Sequence, residues 1–211
     1  TRADFERFRD AHYDARGTLV VVAGNIDSKE VKKAVNERFG DCVARRSPKR
    51  PRPVEKQKAP RLSIEQRTTD QVHLVVGTRA FRASDKRSPA LKVLNAVLGG
   101  GMSGRLFQTL REQMGICYYV KSYPDQNDTY GHLAVRAGVD STRVPDAVRA
   151  IVGELDRLRR EPVDTTELAK AKEWLVGHMT LELETSDAVA EFHAFQELVD
   201  GEIKTPRQRI A

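Results

Sequence analysis

The order of apolar and polar positions divides the chain into helical and extended stretches. Phe5, Phe8 and His12 recur at helical spacing and predict a helix over 4–12. TLVVVAG at 18–24 is a short β-branched run closed by glycine, the pattern of a buried strand. IDSKEVKKAVNERFG comes next, with Asp27 as N-cap, Glu30 as the reciprocating residue of a capping box and Gly40 as the stop. Farther along, RLSIEQR (61–67) alternates and QVHLVVGTRAF (71–81) is rich in β-formers, so two strands are expected. Ser88 and Pro89 read as N-cap and first helical residue of a helix carrying Leu91, Leu94, Val97 and Leu98 on one face. Three glycines at 99–101 end it. Leu106, Phe107 and Leu110 mark a second helix over 103–113, stopped by Gly115. ICYYVKSY (116–123) and YGHLAVRAGV (130–139) are expected to pair as strands across PDQND. The tail reads as three helices, over 144–159, over 165–184 with Asp164 and Glu167 as a capping pair, and over 186–201. Helices grouped between strand pairs predict an α+β domain. Its two layers are a mostly antiparallel mixed sheet and helices covering one face, unlike a doubly wound parallel sheet.

Charge adds a boundary. The 211 residues carry a net charge of +6. Between Arg45 and Arg61, eight basic residues face the single acid Glu55, so the basic excess belongs to one segment and the rest is close to neutral. That segment also holds Pro48, Pro51, Pro53 and Pro60, which predicts an extended linker over 45–60. The linker separates 1–44, read as the end of a preceding domain, from a domain over 61–211. Basic residues crowded into a Pro-rich stretch without interleaved aromatics argue against nucleic acid as a partner. Docking of the linker on an anionic surface is a minor reading, with steep salt dependence as its mark. No apolar run approaches the roughly twenty residues of a membrane-spanning helix. Cys42 and Cys117 have neither CxxC spacing nor the pattern of a disulfide framework.

The stretch LNAVLGGGMSGRLFQTLREQMGICYYV (94–120) raises the question of a phosphate cradle. Such a cradle needs a strand before its glycines and usually Lys-Ser/Thr after them. Here a helix precedes Gly99, and Gly104 is followed by Arg105 and Leu106. The glycines instead predict close packing of two helices across a tight bend, or bare backbone open to an extended peptide. On spacing alone, Arg111 compensates a helix C-terminus and Tyr118 packs in the next strand.

The same run closely resembles the signature of the pitrilysin/insulinase/mitochondrial processing peptidase family of zinc metallopeptidases, in its C-terminal homology region, LxxxLGGGxSSRLFxxLREKxGLxYSV. DFERFRDAHYDARGTLVVVAGNIDSKEVKKAVNERFG is similar to the family segment that closes one domain before the interdomain linker. DTTELAKAKEWLVGHM is similar to the helix after the signature, so the resemblance covers nearly the whole chain. The sequence departs from the family at Gly104, where a second Ser is usual, at Tyr119, where Ser is common, and after Tyr13, where Pro-Asn is absent. The resemblance implies the processing-peptidase-like metallohydrolase fold.

It also implies where the chemistry lies. Members share an inverted zinc motif, His-x-x-Glu-His, with two His ligands and a Glu acting as general base on zinc-bound water. None of His12, His73, His132, His178 and His193 begins or ends that motif. His178 with Glu182 and His193 with Glu197 have the spacing of ordinary pairs on one helix face. The chain is therefore expected to bind no metal and to carry no catalytic residue, with zinc held in the parent protein or a partner half. The resemblance implies that this region supplies an Arg and a Tyr, seven residues apart, that face the zinc across a closed chamber and hydrogen-bond the substrate backbone. Arg111 and Tyr118 hold those positions.

The expected function is thus that of a fragment of a zinc endopeptidase, inactive alone. Its expected partners are a peptide or protein substrate and a zinc-bearing half or subunit, with homo-oligomerisation open. The alternative is a non-catalytic member or subunit serving as scaffold or substrate-binding partner; a His-x-x-Glu-His before Thr1 would decide for the enzyme. The resemblance further implies truncation at both ends, and an expectation that 1–25 completes the second domain's sheet, in cis or from another copy. The composition is that of a soluble protein, of the periplasm, cell envelope or cytoplasm.

Overall fold

The computed structural model describes residues 1–42 and 53–210. The chain divides into two compact units, Pro53–His178, and Thr1–Arg52 with Met179–Ala211.

In Pro53–His178, three strands form an antiparallel sheet: β1 (Val72–Ala80), β2 (Cys117–Gln126) and β3 (Gly131–Val139), in the order β1-β3-β2. Alternation along β3 turns Leu133, Val135, Ala137 and Val139 inward, and all four are buried. The register sets Val76 opposite Val135 and Val120 opposite Ala137, so one face of the sheet is continuously apolar. α3 (Ser88–Gly99), a π-helix over Phe107–Gln113 and α4 (Val144–Arg160) close that face with Leu91, Leu98, Leu106, Leu110, Ala147 and Ile151. The core thus lies between one sheet face and the helices, as the α+β expectation has it. A second small cluster gathers Ala96, Val97 and Ala171 of α5 (Thr165–Glu182), with Trp174 packed against it.

The other unit contains α1 (Arg2–His12), α2 (Ser28–Phe39), α6 (Ser186–Val199) and α7 (Pro206–Ile210). Asp27 caps α2 through the Lys29 amide at 2.7 Å, as its position predicts. Among the described residues this unit contains no strand and no buried apolar side chain. Its most enclosed side chain is Gln196, whose amide receives the Lys204 N–H at 3.0 Å and donates to the Lys204 carbonyl at 3.2 Å.

Several expectations are corrected. Residues 18–24 form no strand; Leu19, Val20 and Val22 are exposed and no neighbouring strand completes their hydrogen bonds. Within this chain 1–25 adds no strand to the sheet, which among the described residues consists of β1, β3 and β2. Residues 61–67 alternate but form no strand either, with Leu62 85% exposed, because alternation supplies a face and not a partner. Ser88 is not an N-cap but lies inside α3, its hydroxyl donating to the Ala83 carbonyl at 2.8 Å. Glu167 does not reciprocate the cap at Asp164; its carboxylate is taken by Arg105. Of the expected linker, 45–52 lies outside the described residues, and 53–60 contains neither helix nor strand.

Candidate functional site

The three glycines are explained by what touches them. A Cβ on Gly99 would meet the Ser122 hydroxyl of β2 at 2.9 Å, and one on Gly100 or Gly101 would lie 3.0 Å from the Trp174 ring. One on Gly104 would lie 2.8 Å from the Gly99 Cα. The bend is therefore packed against β2, the indole and itself, which leaves no cradle for a phosphate. Arg105, next in sequence, makes a two-pronged ion pair with Glu167 at 2.6 and 2.8 Å. This fixes α5 to the segment after the bend, with the Arg105 side chain only 11% exposed.

Arg111 lies on the π-helix, where the Met114 N–H bonds the Thr109 carbonyl at 3.0 Å, five residues back. A π turn inserts one residue per turn and so rotates the side chains beyond it about the helix axis. Leu110 stays buried while Arg111 emerges on the exposed side, its guanidinium 5.9 Å over the Phe107 ring. Thr109, on the same turn, donates to Glu154 of α4 at 3.1 Å.

Tyr118 is the extra residue of a β-bulge. The register pairs Cys117 with Val139 and Tyr119 with Gly138, so Tyr118 has no partner on β3, and its side chain is 58% exposed. Arg111 Nη1 donates to the Tyr118 carbonyl in a short hydrogen bond, with the Cys117 carbonyl at 3.4 Å. The structure thus brings the two predicted residues together at the start of β2, guanidinium on bulge carbonyl. The helix C-terminus that spacing suggested as Arg111's partner is replaced by strand carbonyls. Arg111 Nε and Nη2 make no hydrogen bond among the described residues and remain as donors. Burial pushes the Cys117 thiol up, with Arg111 acting in the other direction.

Each histidine has an aromatic or polar neighbour, and the buried Nδ1 of His193 has no hydrogen-bond partner among the described residues. His12 packs on Phe8, His178 stacks on Trp174, and His193 meets Phe192 edge-on. His73 shares a 3.0 Å hydrogen bond with the Tyr119 hydroxyl, and His132 lies 3.6 Å from Asp125. Among the described residues no group of three or more His, Cys, Asp or Glu could hold a metal ion. These residues do not fit zinc, and no step through a metal belongs to them. No helix of the described residues is long and apolar enough to cross a membrane.

The His73–Tyr119 contact and the Arg105–Glu167 pair are not foreseen by motif reading. The alternation in YGHLAVRAGV is a signal for the first, since it places Gly138 on the face opposite the core, and Tyr119 lies across that glycine.

Comparison with known proteins agrees with this architecture. The profile of the Peptidase M16 inactive domain matches residues 1–175. The chain is 34% identical over 202 residues to a protein of Streptomyces coelicolor named an uncharacterized zinc protease, covering 93% of this chain and 44% of that one. It is 32% identical over 198 residues to the uncharacterized zinc protease YmxG of Bacillus subtilis, covering 92% of this chain and 47% of the relative. The chain thus spans less than half the length of these relatives. The crystal structure of a protease from Helicobacter pylori shares the fold, with a TM-score of 0.78 at 21% identity, covering 96% of this chain and 50% of that one. Because the profile match runs over residues 1–175, most of its length, this chain belongs to the Peptidase M16 family as a domain of the inactive type.

Proposed function

We propose that this chain holds extended peptide for a zinc endopeptidase whose metal is bound by residues outside it, and that Arg111 and Tyr118 are the substrate-binding residues. The observation that carries this reading is the guanidinium of Arg111 seated on the Tyr118 carbonyl, with further donors left over. β2 is an edge strand, pairing only with β3 among the described residues, and an edge strand is where an extended peptide adds alongside a sheet. Beside that edge, Arg111 offers rigid donors to peptide carbonyl oxygens and the exposed Tyr118 phenol offers one more. Donors so placed hold a substrate in register or favour negative charge developing on a carbonyl oxygen. The zinc-bearing half or subunit is the partner.

The test is Arg111→Ala in the full-length protein or the reconstituted pair. Turnover per KM falls roughly ten- to a thousandfold with zinc content unchanged. Turnover equal to that of the unaltered protein removes Arg111 from the site. A full-length protein that binds peptide but neither retains zinc nor cleaves is instead a non-catalytic partner.

A further inference from the structure

The sheet face turned away from the helices carries an arrangement that the peptide-holding function leaves unused. Antiparallel register sets Lys121 of β2 directly opposite Arg136 of β3, and both are exposed. Two cations directly across a ladder repel, and such pairs destabilise a sheet unless something anionic lies between them. The acids of this face are engaged elsewhere: Asp125 faces His132, and Glu55 pairs with Arg79. Lys121 and Arg136 make no ion pair among the described residues. The Arg136 guanidinium is stacked 4.6 Å from the Tyr123 ring centre, which holds it in place for a ligand.

Beside Arg136 on β1 lies the exposed Val75, an apolar flank to the charged pair. Toward the start of β2 the pair is bounded by Tyr119, whose ring crosses Gly138 and whose hydroxyl bonds His73. Lys121 lies three residues along β2 from Tyr118, roughly 10 Å at the rise of a strand, and an extended peptide covers that span in about three residues.

We propose that Lys121 and Arg136 select extended peptides with an acidic side chain about three positions from the residue held at Tyr118. The inference rests on the peptide-holding function and adds to it the charge of the preferred substrate. A nucleic-acid strand would engage a line of phosphates and needs cations repeated along its path; Lys121 and Arg136 form one cross-strand pair, which suits a single carboxylate.

The test is fluorescence anisotropy with the 211-residue chain and equal-length labelled peptides: one with a central Glu, one uncharged, one with a central Lys. The Glu peptide binds about tenfold tighter than the uncharged one, and the advantage shrinks as salt rises. Lys121→Gln with Arg136→Gln abolishes the advantage and leaves affinity for the uncharged peptide unchanged. Lys121→Glu with Arg136→Glu turns the preference to the Lys peptide, whereas Arg136→Lys keeps the original preference. Arg111→Ala weakens all peptides alike. Equal binding of the Glu and uncharged peptides, with Arg111 still required, overturns the inference and leaves the proposed function standing. Peptide affinities unchanged by Arg111→Ala, with the Glu advantage intact, overturn the Arg111 assignment and keep the acid-selective face. A single-stranded oligonucleotide binding tighter than the Glu peptide overturns the inference in favour of nucleic acid, and no binding of any peptide overturns both.

Discussion

In Pro53–His178, Leu98, Leu106, Leu110, Val135 and Ile151 are sealed from solvent, whereas in Thr1–Arg52 with Met179–Ala211 the most enclosed side chain is the amide of Gln196. The first unit places a sheet face against helices, so each apolar residue on β3 finds apolar neighbours, and burial does the stabilising. The second is held by caps and local polar contacts. Examples are Asp27 on α2, Asp14 accepting from the Arg16 and Gly17 amides, and Gln196 gathering Lys204 and Arg209. Its large apolar side chains face water, with Phe5 79% and Phe195 53% exposed. The contrast shows that a correct set of helices does not by itself make a core. Amphipathic elements stabilise a unit only when their apolar sides meet.

The largest expected difference is between Leu98→Ala and Phe8→Ala. The first removes a fully buried side chain and costs about 3 kcal/mol, while the second stays within about 0.5 kcal/mol. Urea unfolding, read alongside hydrogen exchange at β3 and α1 amides, separates the two. Equal losses would mean that the exposed apolar residues are stabilising and would break the comparison.

The next effect concerns the Arg105–Glu167 pair that ties α5 to the glycine bend. Glu167→Gln leaves a mostly buried guanidinium without its counter-charge, at a cost of about 2 kcal/mol once the partial exposure of Glu167 is allowed for. The hydrogen bond from Arg105 holds the Glu167 carboxyl below the usual carboxylate range. The unfolded chain therefore binds this proton more readily than the folded one, and stability rises with pH through that range. The pair's contribution is complete above the ordinary Glu value of about 4.3 and is lost as pH falls below it. Glu167→Gln should flatten that part of the acid-unfolding curve; a curve of unchanged shape assigns the acid sensitivity to other carboxylates.

The smallest effect tests the bend. Gly104→Ala pushes a methyl group into the Gly99 backbone and costs about 1.5 kcal/mol, read as a shift in the urea midpoint. A neutral substitution would show that the bend relaxes and that its glycines are not required for packing.

The helices were legible because their signals are local. Asp27 before α2, Leu91 to Leu98 along α3 and Asp164 before α5 each act within a few residues of chain. Strands 71–81, 116–123 and 130–139 were legible for the same reason, and each has a partner in the sheet. TLVVVAG at 18–24 and RLSIEQR at 61–67 carry equally good strand patterns but form none, since a strand exists only where another chain segment completes its hydrogen bonds. The π-helix was hidden because Leu106, Phe107 and Leu110 look the same to an α-helical period, and one widened turn leaves no mark in composition.

The candidate site divides along the same line. By itself the sequence determined that Arg111 and Tyr118 stand seven residues apart in a family signature, and that the chain offers no His-x-x-Glu-His. Only the tertiary structure decided that the guanidinium rests on the bulge carbonyl, that Trp174 covers Gly100 and Gly101, and that Lys121 faces Arg136. Spacing along the chain is fixed by covalent bonds, whereas these contacts depend on strand register and a single bulge, where a shift of one residue would turn every side chain of β2 to the other face.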